Sequence, residues 1–256
     1  MAVSDWNPPL YSAFRALRLR PALDLLAQVP ALPAGEVIDL GCGDGAVAGA
    51  LKARFPGHIL LGVDASAAML ARAEGYDAKM LVDIAAWTPA RAPALIFSNA
   101  ALQWLGAHER LFPRLAGLLA PGGVLAVQMP RNHVAPSHAL IRDLATKLFP
   151  DRFPPGPFVP SVAPPEDYWR LLAPLGRVSV WESEYLQELD PVDRGHPVRR
   201  FTESTAMRPV MERLSDAEVT ALTAAYDDSL MQAYPLLPSG GALFPFRRLF
   251  LILQRS

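Results

Sequence analysis

The chain has 256 residues, 51% hydrophobic and 19% charged, with a formal net charge of −1. Such a length buries one sizeable core with room for a smaller cap, and near-neutrality excludes the basic excess of a polyanion binder, so no nucleic-acid partner is expected. No apolar run reaches the roughly 18 residues of a membrane span, the start Met1-Ala2-Val3-Ser4-Asp5-Trp6 lacks the basic and apolar regions of a leader, and Cys42, the one cysteine, can form no internal disulfide. A cytoplasmic monomer without membrane association is expected.

In chain order, strand-like runs fall at 36–40, 59–63, 79–82, 94–98 and 124–129. Segments of helical composition lie near 46–54, 66–75 and 107–119. Strands alternating with helix-length segments predict a doubly wound, mostly parallel α/β sheet, and the continuous apolar runs predict strands buried on both faces. Beyond residue 130 the rhythm changes. Seven of the 26 prolines fall in 149–165 (Pro150, Pro154, Pro155, Pro157, Pro160, Pro164 and Pro165), which forbids a continuous helix or central strand there. Arg177–Leu189 and Arg248–Gln254 read as further strands, separated by helical patterns over 197–214 and 216–234. The expected organisation is a single domain over 1–256. Its core is 30–130 plus strands near 177–189 and 247–254, and its helical cap comes from 1–25, 131–175 and 194–238.

Asp39-Leu40-Gly41-Cys42-Gly43-Asp44-Gly45 follows the first strand and precedes a helix. Glycines there allow a tight turn and close approach of a ligand to the backbone. The third glycine comes one residue too early for the dinucleotide fingerprint G-x-G-x-x-G. Asp39 is suited to the amino group of a ligand. Asp64 ends the second strand about 20 residues beyond Gly41, where a carboxylate accepts ribose hydroxyls. Asp83, before Ile84, follows the third strand and suits an adenine amino group. Three acids at successive strand ends, with no phosphate-binding lysine, describe a nucleoside ligand that is not a phosphate. The alternative is that each aspartate caps the helix after it.

This pattern, over about 34–130, resembles the class I S-adenosylmethionine-dependent methyltransferases. A closer resemblance, to the trans-aconitate 2-methyltransferases, is carried from residue 4 to residue 250. Its segments are Ser4-Asp5-Trp6-Asn7-Pro8, Arg18-Leu19-Arg20-Pro21, Ser98-Asn99-Ala100-Ala101-Leu102-Gln103-Trp104-Leu105, Val124-Leu125-Ala126-Val127-Gln128-Met129-Pro130, Arg208-Pro209, Tyr234-Pro235 and Arg248-Leu249-Phe250. The chain departs from that family at Asp44, Arg131 and Arg247. The resemblance implies a seven-stranded Rossmann-like sheet, S-adenosyl-L-methionine as cofactor, and esterification of a carboxylate of a small polycarboxylic acid. It further implies that Asn99, Ala100, Gln103 and Trp104 lie by the cofactor, with Asp39, Gly41, Gly43, Gly45, Asp64, Asp83 and Ile84.

A carboxylate nucleophile is ionised at neutral pH and needs no general base, so no catalytic acid–base residue is assigned and the protein's task is positioning. The five histidines show no metal-ligand spacing, and no metal is expected. A polyanionic substrate needs a clamp, and arginine is the fitting clamp for carboxylates. Only Lys52, Lys79 and Lys147 of the 24 basic residues are lysines. The substrate candidates are Arg248, Arg208 and Arg20, with Trp6, Tyr11 and His133 closing the pocket. Trp87 is read as a core residue or an adenine contact, and Trp104 as equally a core residue. Two alternatives stay open: the same cofactor with another small acid, a phenol or an amine as acceptor, and a non-catalytic cofactor-binding module.

Overall fold

A computed structural model describes residues 15–203 and 205–256, with side chains from residue 19; Trp6 and Tyr11 lie outside the described residues. Each apolar run becomes a strand within a residue or two of its expected place: β1 Val37–Leu40, β2 Leu60–Asp64, β3 Ala78–Leu81, β4 Leu95–Asn99 and β5 Val124–Pro130. The two late strands, β6 Gly176–Leu189 and β7 Ala242–Arg255, are each 14 residues long. Among the described residues these seven form one sheet in the order β3-β2-β1-β4-β5-β7-β6. β1 to β5 run parallel, and β7 is antiparallel to β5, pairing Pro130 with Arg248 and Val124 with Gln254.

Burial follows position in the sheet. β1, β4 and β5 are buried almost throughout, as strands covered on both faces should be. β3 corrects the expectation: all four of its residues are exposed, because it is the edge strand with β2 as its one neighbour. Helices α1 Arg15–Gln28, α2 Ala48–Arg54, α3 Ala67–Arg72 and α4 His108–Leu118 accompany these strands. α4 buries Leu111, Phe112, Leu115 and Ala116 on one face, the spacing of a core-facing helix. A second stretch, α5 Pro136–Leu148, follows β5, and α6 Pro165–Leu172 precedes β6. Between α5 and α6 the proline-rich segment has no helix or strand. The remaining helices are α7 Pro197–Glu203, α8 Arg208–Met211 and α9 Asp216–Ala233. No helix among the described residues is long and apolar enough to cross a membrane.

The chain divides into two compact units. Of the described residues, the first comprises those up to 130, 161–183 and 248–256; the second comprises those in 131–160 and 184–247. In the first, the core joins Ile38, Leu40, Ile96, Leu125 and Val127 of the sheet to Phe112, Leu115, Tyr168 and Leu172 of α4 and α6. His108 on α4 shares a hydrogen bond with the Tyr168 hydroxyl at 2.6 Å and contacts the carbonyl of Leu102 at 2.9 Å, so this buried imidazole is satisfied structurally. Segments 15–25 and 161–175, expected in the cap, belong to this first unit. In the second unit, α9 aligns Leu222, Tyr226 and Leu230 on one buried face. Phe201, Phe244 and Phe246 pack ring against ring, 5.1–5.6 Å between centroids. The Tyr226 hydroxyl donates to the carbonyl of Ser137 at 2.6 Å, and the Ser137 N–H donates to the Tyr234 hydroxyl at 3.1 Å, tying α5 to α9.

Candidate active site

Strand order reverses between β1 and β4, since one half of the sheet runs outward as β1-β2-β3 and the other as β4-β5. In an open parallel sheet, ligands bind at the carboxyl ends of the strands at such a switch point, where adjacent connections leave in opposite directions. The turns after β1 and β4 meet there. A Cβ on Gly41 would lie 2.2 Å from the Cβ of Ala101, and Gly41 has φ +80°, so only glycine fits. Gly43 and Gly45 also have positive φ, +55° and +82°. Across the crevice Ala100 takes φ +54°, a left-handed conformation that costs a non-glycine residue about 1 kcal/mol or more and is concentrated at functional sites.

The acids surround this turn in three different states. Asp64, half-buried at the end of β2, accepts from the N–H of Gly43 on Oδ2 and of Ser66 on Oδ1, each at 2.8 Å. With these two bonds it fixes the glycine turn and the start of α3, and the remaining lone pairs of its oxygens are available for hydroxyl donors. Asp83 is exposed and accepts from the N–H of Ala85 at 2.8 Å, within a turn rather than at the start of a helix. Asp39 is 2% exposed within β1. Its Oδ2 accepts from the Tyr76 hydroxyl at 2.6 Å. Burial raises this carboxyl to about 7, against the lowering effect of Tyr76 and with the help of the Asp64 charge. Cys42 is buried in the same turn, and desolvation together with the two aspartates pushes its thiol well above the ordinary range. It is a packing residue rather than a nucleophile.

The β4 side supplies acceptors. Asn99 Oδ1 and Gln103 Oε1 are buried without a hydrogen-bond partner, while Gln103 Nε2 donates to the carbonyl of Ala100 at 2.7 Å. Ile84 is buried, its Cδ1 3.4 Å from where a Gly41 Cβ would stand. Carboxylates and amide oxygens around a glycine turn that accepts close approach form a donor-poor, acceptor-rich site. Such a set fits a ligand carrying hydroxyls and positive charge, and it opposes a phosphate. Trp104 is 50% exposed and so is not core; Trp87 is fully buried and is.

The expected substrate residues are differently placed. Arg248 is 3% exposed. Its Nη1 lies 3.5 Å from Oε1 of Gln128, which is fully buried on β5 and has Nε2 without a partner. Register pairs Gln128 with Asn99 across β5 and β4 and sets Arg248 against Pro130, so these three polar residues share the strand ends of the first unit. Arg20 is exposed on α1 with Asp24 one turn away at 4.0 Å. Arg208 lies in the second unit and bonds Glu212 at 2.8 Å, also one turn away. His133, in that unit too, rests against the Phe158 ring, 5.8 Å between centroids. Tyr76 and Gln128 were not singled out from sequence; Gln128 stands in a quoted motif, whereas Tyr76 has no local signal. Among the described residues no group of three or more His, Cys, Asp or Glu is disposed to hold a metal ion.

The comparisons agree with the geometry. A family model described as "Methyltransferase domain" matches residues 11–189. A trans-aconitate 2-methyltransferase from Paracidovorax citrulli is 42% identical, with 98% of this chain and 99% of that protein covered. One from Escherichia coli O157:H7 is 39% identical, covering 99% and 100%. Among solved structures, Haemonchus contortus phosphoethanolamine N-methyltransferase 2 in complex with S-adenosyl-L-methionine superposes with a TM-score of 0.51 at 16% identity. That likeness covers 93% of this chain and 53% of the other, and it shows the fold. With a methyltransferase model over most of its length and relatives this similar along nearly all of it, the chain belongs to the methyltransferase family, among the trans-aconitate 2-methyltransferases.

Proposed function

We propose that this enzyme transfers the methyl group of S-adenosyl-L-methionine to a carboxylate of trans-aconitate or a closely related polycarboxylic acid. The observation that carries the substrate class is the likeness to trans-aconitate 2-methyltransferases along nearly the whole chain; the candidate clamp is Arg248, a guanidinium buried at the strand ends within 3.5 Å of Gln128 Oε1. A buried guanidinium is a strong and geometrically selective partner for a substrate carboxylate, because charge-assisted, paired contacts strengthen in a low-dielectric site. Arg20 and Arg208 each already have an acid one helical turn away, which competes with a substrate carboxylate. We therefore give Arg248 the clamp and Arg20, Arg208, His133, Trp6 and Tyr11 secondary places.

On the cofactor side, Gly41, Gly43 and Gly45 give the turn its close approach, and Asp64 accepts ribose hydroxyls while holding Gly43. Asp39 attracts the amino group, and Asn99, Ala100 and Gln103 offer acceptors from the opposite wall. Ile84 and Asp83 border the adenine, with Trp104 at the exposed rim. When bound, the cofactor supplies a methyl group already activated on a sulfonium. The protein's part is then to hold a carboxylate oxygen in line, to exclude water and to balance the substrate's charge. A carboxylate with a reference pKa near 4 is its own nucleophile, so no side chain moves a proton.

The test is incubation with methyl-labelled S-adenosylmethionine and a panel of di- and tricarboxylates. Methyl ester on trans-aconitate is expected, and cofactor binding without ester on any acid would overturn the reading. Arg248→Ala should raise KM for the acid about 10-fold or more while cofactor affinity stays within about twofold. An equal fall in both would remove Arg248 from the clamp.

A further inference from the structure

The Tyr76 ring occupies a slot that two glycines leave open. β1 and β2 are in register with Asp39 opposite Gly62. A Cβ on Gly62 would stand 3.1 Å from both Cδ atoms of the ring, and a Cβ on Gly45 would stand 3.2 Å from Cε2. Tyr76 precedes the edge strand β3, so the ring reaches from the sheet's edge over Gly62 to the buried acid of β1. There its hydroxyl meets Asp39 Oδ2 at 2.6 Å and the Cys42 thiol. Filling the slot requires only a ring; phenylalanine would do that. The hydroxyl has a different consequence, because it donates a side-chain hydrogen bond to Asp39.

We propose that Tyr76 is a positioning residue for the cofactor site, acting through Asp39 to set the affinity for the cationic cofactor and the pH range over which it binds. This rests on the cofactor reading above. The groups acting on Asp39 are Tyr76, which favours its charged form by donating a hydrogen bond, and Asp64, whose like charge opposes it. Cys42, between them, stays a neutral thiol. A cationic ligand favours ionised Asp39, so binding releases a proton where the carboxyl is still protonated and strengthens as pH rises through neutrality. Without the phenol donor, that rise moves to higher pH.

The experiment is Tyr76→Phe, which keeps the ring in its slot. Calorimetric binding of S-adenosylmethionine and S-adenosylhomocysteine between about pH 6 and 9 should show affinity about 10-fold weaker near pH 7. The gap should close toward the alkaline end, with KM for the acid substrate unchanged. Carbon-13 NMR of the ligand-free protein should show the Asp39 titration midpoint moved upward. Coincident binding curves would overturn the proposal, as would an unmoved midpoint or a uniform loss of affinity at every pH, which marks packing alone. Failure of the wild-type protein to bind either cofactor form would refute the cofactor reading itself, and this proposal with it.

Discussion

Asp39→Asn tests how much the buried acid costs the ligand-free fold. Desolvation raises the carboxyl from 3.8 to about 7, with Tyr76 pulling the other way and Asp64 adding to the rise. The folded value lies above the unfolded one, so the native state holds the proton more tightly. The associated stability is complete below about pH 4 and is lost as pH rises through about 7. A separation of about three pH units corresponds to about 4 kcal/mol of penalty above pH 8. An amide of the same shape escapes that penalty but carries a buried N–H that costs about 1 kcal/mol where it finds no acceptor. The variant should therefore be more stable than wild type by about 3 kcal/mol at pH 8 and less stable by about 1 kcal/mol near pH 4. For a protein of this size that is roughly 6–12 °C in melting temperature at the alkaline end. Thermal and urea unfolding of both proteins without ligand, across this range, measures it. A difference that does not vary with pH would refute the reasoning, because the titration of Asp39 is the sole source of the crossover. The same variant should bind cofactor poorly, separating stability from function at one atom.

Gly41→Ala places a methyl group 2.2 Å from the Ala101 Cβ at φ +80° and should cost about 3 kcal/mol in urea unfolding, with cofactor binding lost. Gly43→Ala, which meets only Met69 Cε at 3.4 Å at φ +55°, should cost about 1 kcal/mol. Asp64→Ala removes the acceptor for Gly43 and Ser66; calorimetry should show cofactor affinity down about 10-fold or more with KM for the acid nearly unchanged. Glu218 is held down at about 2, first by Arg152 and then by the Ser215 N–H and hydroxyl. It lends stability that is full above its ordinary 4.5 and is lost as pH falls toward 2, so Glu218→Gln should flatten acid unfolding over that window.

What the sequence made legible was local. Strands β1 to β5 follow from apolar runs whose length and spacing admit little else, and the glycine turn follows from residues whose conformational freedom is needed at one place. Longer-range facts were hidden. Tyr76 sits in Glu74-Gly75-Tyr76-Asp77, which reads as an exposed turn, and its bond to Asp39 depends on which residue of β2 faces Asp39. Met80 and Leu81 look like core and are exposed, because edge position is a property of the sheet's order rather than of the strand. The adjacent Arg247 and Arg248 show the same limit. Successive side chains of a strand face opposite ways, so the two arginines point to opposite faces, but alternation alone does not say which is buried, since Arg248 to Leu253 are all buried. In the structure Arg248, paired with Pro130 of β5, is buried, while Arg247 is exposed and reaches Glu184 at 3.6 Å. β7 also begins six residues earlier than expected, at Ala242, since Pro245 breaks a strand signal that the buried Ala242, Phe244 and Phe246 would otherwise give.

The features that define the site share a sign: each is unfavourable to the protein alone. Asp39 is desolvated beside a second acid, Ala100 is left-handed, and Asn99 and Gln103 hold buried oxygens without donors. A fold selected for stability only would remove all of them, by Asn at 39, Gly at 100 and apolar residues at 99 and 103. They occur together where β1 and β4 part, the one place in a parallel sheet where backbone leaves in both directions and a ligand can reach the strand ends. In the reading we propose, a cation bearing hydroxyls supplies a counter-charge for Asp39 and donors for the empty acceptors. The unfavourable terms of the free protein thus become the differential affinity for that ligand. The proposed clamp is a cation: Arg248 is buried within 3.5 Å of Gln128 Oε1, where we propose that a substrate carboxylate meets it. The near-neutral total of the chain conceals the partition we propose, acids on the cofactor side and arginine on the substrate side, which would bring a sulfonium and a carboxylate toward each other.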